Sequence, residues 1–157
     1  MTTSHLLSKH LQQFIAGPNL TGSHLSQHLD DVSIKEANIS LYGVNSIAQL
    51  VFHINYYISA VGDVLEGKPL LAKDSLSFDA PIITTEAAWQ PQKEKLYTAI
   101  HRCAQLVKSF PQEKLKEEFV LKKYGSYEHN LLGLLEHSHY HFGQIVIIKK
   151  MLRAGLR

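Results

Sequence analysis

The chain has 157 residues, a formal net charge of +2 and one cysteine, Cys103. That length predicts a single domain, residues 1–157, with a core of ordinary size. The near-neutral charge excludes the basic face of a typical nucleic-acid binder, and a lone cysteine excludes an internal disulfide.

Apolar residues make up 45% and charged residues 19%, as in ordinary globular proteins. The only concentration of basic residues is a short tail, Lys149, Lys150, Arg153 and Arg157. No run approaches 18 uninterrupted apolar residues, so no membrane span is expected. A basic start followed by an apolar run is also missing, so no signal peptide is expected. With the single thiol, this fits a reducing cytoplasm. Ten histidines are many for this length. They suggest metal binding and also raise the number of accidental spacings.

The predicted elements are helical. Over residues 3–16, Leu6, Leu7, Leu11, Phe14 and Ile15 form a helical stripe, and Gly17-Pro18 stops it. Asn19 to Gly43 is less regular, with Ser23 placed to cap a short helix carrying Leu25 and Leu29. A second long helix is expected from an Asn45 cap to Gly67, with Ile47, Leu50, Val51, Ile54, Ile58, Val61 and Leu65 stepping by three and four. His53 falls at the edge of that stripe, beside Tyr57 and Val64. Residues 67–84 show no stripe and make a long connection for a compact domain. Such a segment can carry the chain from one end of a bundle to the other.

The third helix is expected to start between Thr85 and Pro91. Leu96, Ile100, Cys103, Val107 and Phe110 then repeat as a bundle seam. Residues 112–127 read as a charged, partly helical connection. Ser126 or Tyr127 precedes a fourth helix, about 128–153, closing near Gly155. Four long amphipathic helices without a good strand predict an all-α four-helix bundle, with a long crossover between helices two and three.

The chemistry concentrates in Glu136-His137-Ser138-His139-Tyr140-His141-Phe142-Gly143-Gln144-Ile145. His137 and His141 lie one turn apart on the face that carries Leu134, Ile145, Ile148 and Leu152, while His139 points away. Histidines four apart are close enough to share a metal ion. Chance alone supplies about 0.6 such pairs at this histidine frequency, and the chain has two, His24/His28 and His137/His141. Spacing therefore decides little. What distinguishes His137/His141 is the apolar face, where ring nitrogens need a partner that water does not easily supply. A metal ion and ordinary hydrogen-bonded core histidines both answer that need. If helices two and four are neighbours, His53 joins the pair. Three imidazoles on one ion leave a coordination position open, as catalytic sites do.

His24/His28 read as solvated or supporting residues. His5, His10, His101 and His129 read as surface or packing residues, and Cys103 as a buried small hydrophobe. Asn55, Tyr56 and Tyr57 are near enough to His53 in sequence to shape a pocket. Gln144 lies one turn beyond His141 and can support it. H-E-x-x-H is missing, Glu136-x-x-His139 is only half of a di-iron motif, and neither G-x-S-x-G nor a phosphate-binding glycine loop occurs. The motif itself holds no obvious Asp or Glu base.

Asn45-Ser46-Ile47-Ala48-Gln49-Leu50-Val51-Phe52-His53 with Leu65-Glu66-Gly67 resembles the second helix of the DinB/YfiT-like superfamily. His137 to Ile145 resembles that family's last-helix motif, a histidine, three residues, then His-x-Gly-Gln-Ile. Gly17 to Leu29 resembles its link after helix one. The resemblance implies a four-helix bundle with the same crossover, and a divalent metal, zinc or nickel, held by His53, His137 and His141. It also implies a thiol-dependent S-transferase or isomerase whose low-molecular-weight thiol ligates the metal. Coordination lowers a thiol's pKa so that it reacts as thiolate.

The function expected is therefore a metal-dependent thiol S-transferase or hydrolase of small molecules, cytoplasmic and homodimeric. The rival is a non-catalytic helical module, for metal binding or dimerisation, whose ion is structural. Fold and metal site do not by themselves define a reaction.

Overall fold

The computed structural model describes residues 1–156. The chain is all-helical. Its α-helices are α1 (Thr3–Ile15), α2 (Leu25–Leu29), α3 (Ile34–Ala37), α4 (Ile47–Leu65), α5 (Glu86–Ser109) and α6 (Tyr127–Arg153). Among the described residues the only β-type pairing is an isolated bridge between Glu118 and Ser126. No described helix is long and apolar enough to cross a membrane.

Each long helix begins where a short polar side chain satisfies an otherwise free N–H. Thr2 caps α1, Thr85 caps α5 and Ser126 caps α6. The cap of α4 is Ser46, one residue later than the expected Asn45. Gln49 stands three residues on, so Ser46 and Gln49 exchange hydrogen bonds as a capping box. The reciprocal glutamine explains the shift, because Asn45 has no such partner at its own third position. Similarly, His24 and not Ser23 caps α2, its ring accepting from the Gln27 N–H. The unforeseen α3 is a single turn closed by a Ser33/Glu36 capping box. At the far end of α4, Gly67 turns the chain at φ +84°, where a side chain would be strained.

The expectation about α1 needs correction. Leu6 is exposed, leaving Leu7, Leu11, Phe14 and Ile15 as the buried face of α1. α5 starts at Glu86, inside the expected interval between Thr85 and Pro91, and the helix continues through Pro91. The missing N–H there has no bond to offer the Ala87 carbonyl.

One buried cluster draws on every helix, with Phe14, Leu25, Ile54, Trp89, Leu96 and Ile145 among its members. Each such side chain contributes about 1.5–3 kcal/mol when withdrawn from water. Trp89 is fully buried, and its indole N–H donates to the Val32 carbonyl at 2.8 Å. That bond ties α5 to the turn between α2 and α3.

Polar contacts register the helices. The Ser4 hydroxyl at the start of α1 donates to the Phe110 carbonyl after α5. Asp63 and Glu66 at the end of α4 pair with Arg102 in the last third of α5. The Ile34 N–H of α3 reaches the Glu86 carboxylate in the first turn of α5. Lys149 and Arg153 at the end of α6 bind Asp31 and Glu36 beside α2 and α3. α4 packs between α5 and α6, so the His53 face of α4 meets the His137/His141 face of α6.

Candidate metal centre

The helical period turns His53 of α4 toward α6, and it turns both His137 and His141 toward α4. The three rings meet there, and one ligating nitrogen from each lies within 4.8 Å of the others. His53 Nε2 is 3.0 Å from His137 Nε2, and His141 Nε2 is 3.1 Å from the same atom. His53 and His141 are buried, at 5% and 8% exposure, and His137 is half-buried. Solvent therefore does little to settle which nitrogens carry protons.

The outer nitrogens settle most of it. His53 Nδ1 donates to the Ser77 carbonyl at 3.0 Å. His141 Nδ1 donates to Gln144 Oε1 at 2.7 Å. In neutral rings those protons leave both Nε2 atoms as lone pairs. Both lone pairs face His137 Nε2, which has at most one proton to give. His137 Nδ1 is itself buried without a partner. No assignment of protons among three neutral imidazoles satisfies every nitrogen. An unpaired buried polar atom costs about 1–3 kcal/mol.

A divalent cation between the Nε2 atoms fits this donor set, since a metal ligand needs the bare lone pair that the outer hydrogen bonds create. The electrostatics agree. Burial, then the charges His141 and His53 would carry, holds His137 down at about 4. Burial also lowers His53, opposed by its bond to the Ser77 carbonyl. Neutral rings near pH 7 are ready to bind metal without first losing protons.

The segment between α4 and α5 supplies groups that the helical pattern did not indicate. Phe78 stacks on His53 with ring centroids 3.8 Å apart and planes within 9°. Tyr57 sets its edge against both His53 and His137, at 5.1 and 4.9 Å between centroids. Its hydroxyl donates to Asp74 Oδ1 at 2.7 Å. Asp74 opens a 3-10 turn, Asp74–Leu76, and that turn presents the Ser77 carbonyl to His53. Leu76 and Phe78 gave no distinct local signal for this role, because Leu70, Leu71, Ile82 and Ile83 lie in the same connection.

The other nominated residues lie outside the cluster. Tyr56 bonds the Lys73 backbone in both directions. Asn55 is buried, with its Oδ1 unpaired. His139 donates to the Leu135 carbonyl and packs on Phe14 of α1. His24 contacts the Ile15 carbonyl, and His28 bonds the Ser23 hydroxyl and packs on Phe142. Both stabilise the link after α1. Cys103 is buried, and burial pushes its thiol up to about 12. Comparison with protein-family models, curated proteins and solved structures finds no match to the chain.

Proposed function

We propose that this chain binds a divalent metal ion, zinc or nickel, through His53, His137 and His141. On that basis it is a DinB-like metal-dependent thiol S-transferase or hydrolase acting on a small molecule. The observation that carries the metal reading is the convergence of three Nε2 atoms, two of them stripped of protons by carbonyl acceptors behind the rings. The fold that accompanies it is a four-helix bundle of α1, α4, α5 and α6, with residues 66–85 as the crossover. Support comes from Arg102 pairing late in α5 with the end of α4, and from α3 reaching the first turn of α5.

A divalent ion in such a site polarises a bound ligand and activates a thiol or water at neutral pH. The chain's own residues do the rest. Ser77 and Gln144 hold the outer ring protons and so aim the inner lone pairs. Tyr57 and Phe78 wall the site and exclude water from two sides. Asp74 is the carboxylate we assign as proton acceptor, connected to the site by the Tyr57 hydroxyl. Burial and the bond to Asp74 raise the Tyr57 pKa, so its hydroxyl keeps its proton at neutral pH.

A second reading has its own observation. His53 and His141 are nearly closed from solvent, and Phe78 covers His53. A structural ion shut in by protein would look the same, and would pin the crossover to α4 and α6.

Elemental analysis of the purified protein beside His53→Ala, His137→Ala and His141→Ala tests the site. The expected result is about one ion per chain, lost in each variant; unchanged metal content in all three ends the metal reading. Incubation with an electrophile and a panel of thiols then separates the two roles. Turnover that depends on the metal and falls in Asp74→Asn supports the enzyme, while metal binding without turnover supports the structural ion.

A further inference from the structure

A cleft of about 670 Å³ lies between the turn before α4 and the second half of α6, with Gln144 in its lining. That volume is within the range of small-molecule sites, about 300–1,000 Å³. No residue lining it is charged, and Leu41, Leu50 and Ile147 supply apolar wall. Tyr42 and Tyr140 stand at its edge, 73% and 64% exposed. Such a lining gives no counter-charge to a phosphate, a carboxylate or an ammonium, whose desolvation would go uncompensated.

One polar group in the lining has a defined direction. Gln144 Oε1 is engaged by His141 Nδ1, which leaves the amide nitrogen as its free end. Among the described residues, that nitrogen donates to no protein atom. Gln144 is half-buried, and an amide donor in an otherwise apolar lining favours a ligand with an acceptor oxygen. Gly143 lies beside it in the lining, and a Cβ there would meet no atom within 4 Å. The cleft is therefore open against the helix backbone at that point.

We propose that this cleft is a binding site for an uncharged, largely apolar small molecule whose carbonyl or ether oxygen accepts from Gln144. The proposal goes beyond the metal reading and does not depend on it, since none of the three histidines lines the cleft. Gln144 touches both places, and Tyr140 does so through its edge contact with the His141 ring.

The uncharged fluorescent ketone prodan, an apolar naphthalene with one carbonyl acceptor, is a suitable probe. We expect saturable binding to the wild-type chain with blue-shifted emission, in metal-loaded and chelator-treated protein alike. Gly143→Leu places a side chain in the cleft at a helical position that accepts one. It should weaken prodan at least about tenfold while leaving the circular dichroism at wild-type values and the urea midpoint no lower, since leucine favours the helix over glycine. Gln144→Leu should weaken prodan several-fold, and should not weaken a naphthalene lacking the carbonyl. Undiminished prodan binding in folded Gly143→Leu overturns the proposal. So does a Gly143→Leu variant that converts a dimer to a monomer by light scattering without affecting prodan, because the face would then belong to a second copy. Metal content measured on the same samples keeps failure of the histidine site distinct from failure of the cleft.

Discussion

At the scale of single residues, His137 is where stability and binding pull in opposite directions. Its Nε2 is shared by two lone pairs, and its Nδ1 is buried without a partner. His137→Leu removes both problems and fills most of the same volume. Without metal, the variant should be more stable than the wild type by about 1 kcal/mol; with zinc, the order should reverse. Urea denaturation with chelator and with zinc measures both. The pH dependence has a defined sign. Unfolded, His137 takes a proton near 6.5, but folded it refuses one until about 4. The stability of the metal-free chain is therefore undiminished above pH 6.5 and falls as the pH drops toward 4. His137→Leu should flatten that slope. Gln144→Leu removes the acceptor behind His141, and loss of such an orienting partner costs about 10–100-fold in metal affinity. Competition with a chromogenic chelator measures it.

At the scale of elements, the caps and the segment between α4 and α5 act on different quantities. Ser46 and Gln49 set the start of α4, and Ser46→Ala should cost about 1 kcal/mol of stability in urea. His53 is two turns further on, so metal affinity in that variant should stay at the wild-type value. Phe78 contributes little to the core but lies flat on the His53 ring. Phe78→Ala should leave the urea midpoint nearly unchanged and speed loss of metal to chelator. These elements also differ in how far sequence periodicity reveals them. α4, α5 and α6 have long amphipathic stripes, and their extents were legible from apolar spacing. The Ser46 cap was displaced by a reciprocal glutamine. The single-turn α3 was too short to leave a period. Between α4 and α5, Asp74, Ser77 and Phe78 act through one carboxylate, one carbonyl and one ring, none of which follows a repeat.

For the whole molecule, the ends of the helices are held by charge and the interior by packing. Bonds from Lys149 and Arg153 pull the Asp31 carboxyl down to about 2, and Arg153 does the same for Glu36. Their unfolded values are 3.8 and 4.5. The stability they contribute is present above pH 4.5 and is lost as the pH falls toward 2. Acid unfolding should thus show two windows, one from His137 above pH 4 and one from these carboxylates below it. Arg153→Met should diminish only the lower window. Glu66, held by Arg102 and Lys68, titrates in that window too, so part of it should persist. Salt should weaken these contributions, since the pairs are largely exposed. Cys103 reports on the interior. It is fully buried with its thiol pushed up to about 12, so a thiol reagent should modify it only at the rate of global opening.

By itself, the sequence determined that the chain is helical, where the long helices run, and that His53, His137 and His141 lie on or beside apolar faces. Those properties follow from a period of 3.6 residues and from local capping, and neighbours along the chain settle them. Tertiary structure decided that α4 lies against α6, which turns a histidine and a histidine pair 84 residues apart into one cluster. It also decided which ring nitrogens are free, because the carbonyl of Ser77 reaches His53 from a segment with no repeat of its own. Helix-to-helix placement depends on the whole core packing at once, and a backbone carbonyl has no residue-specific signature in sequence.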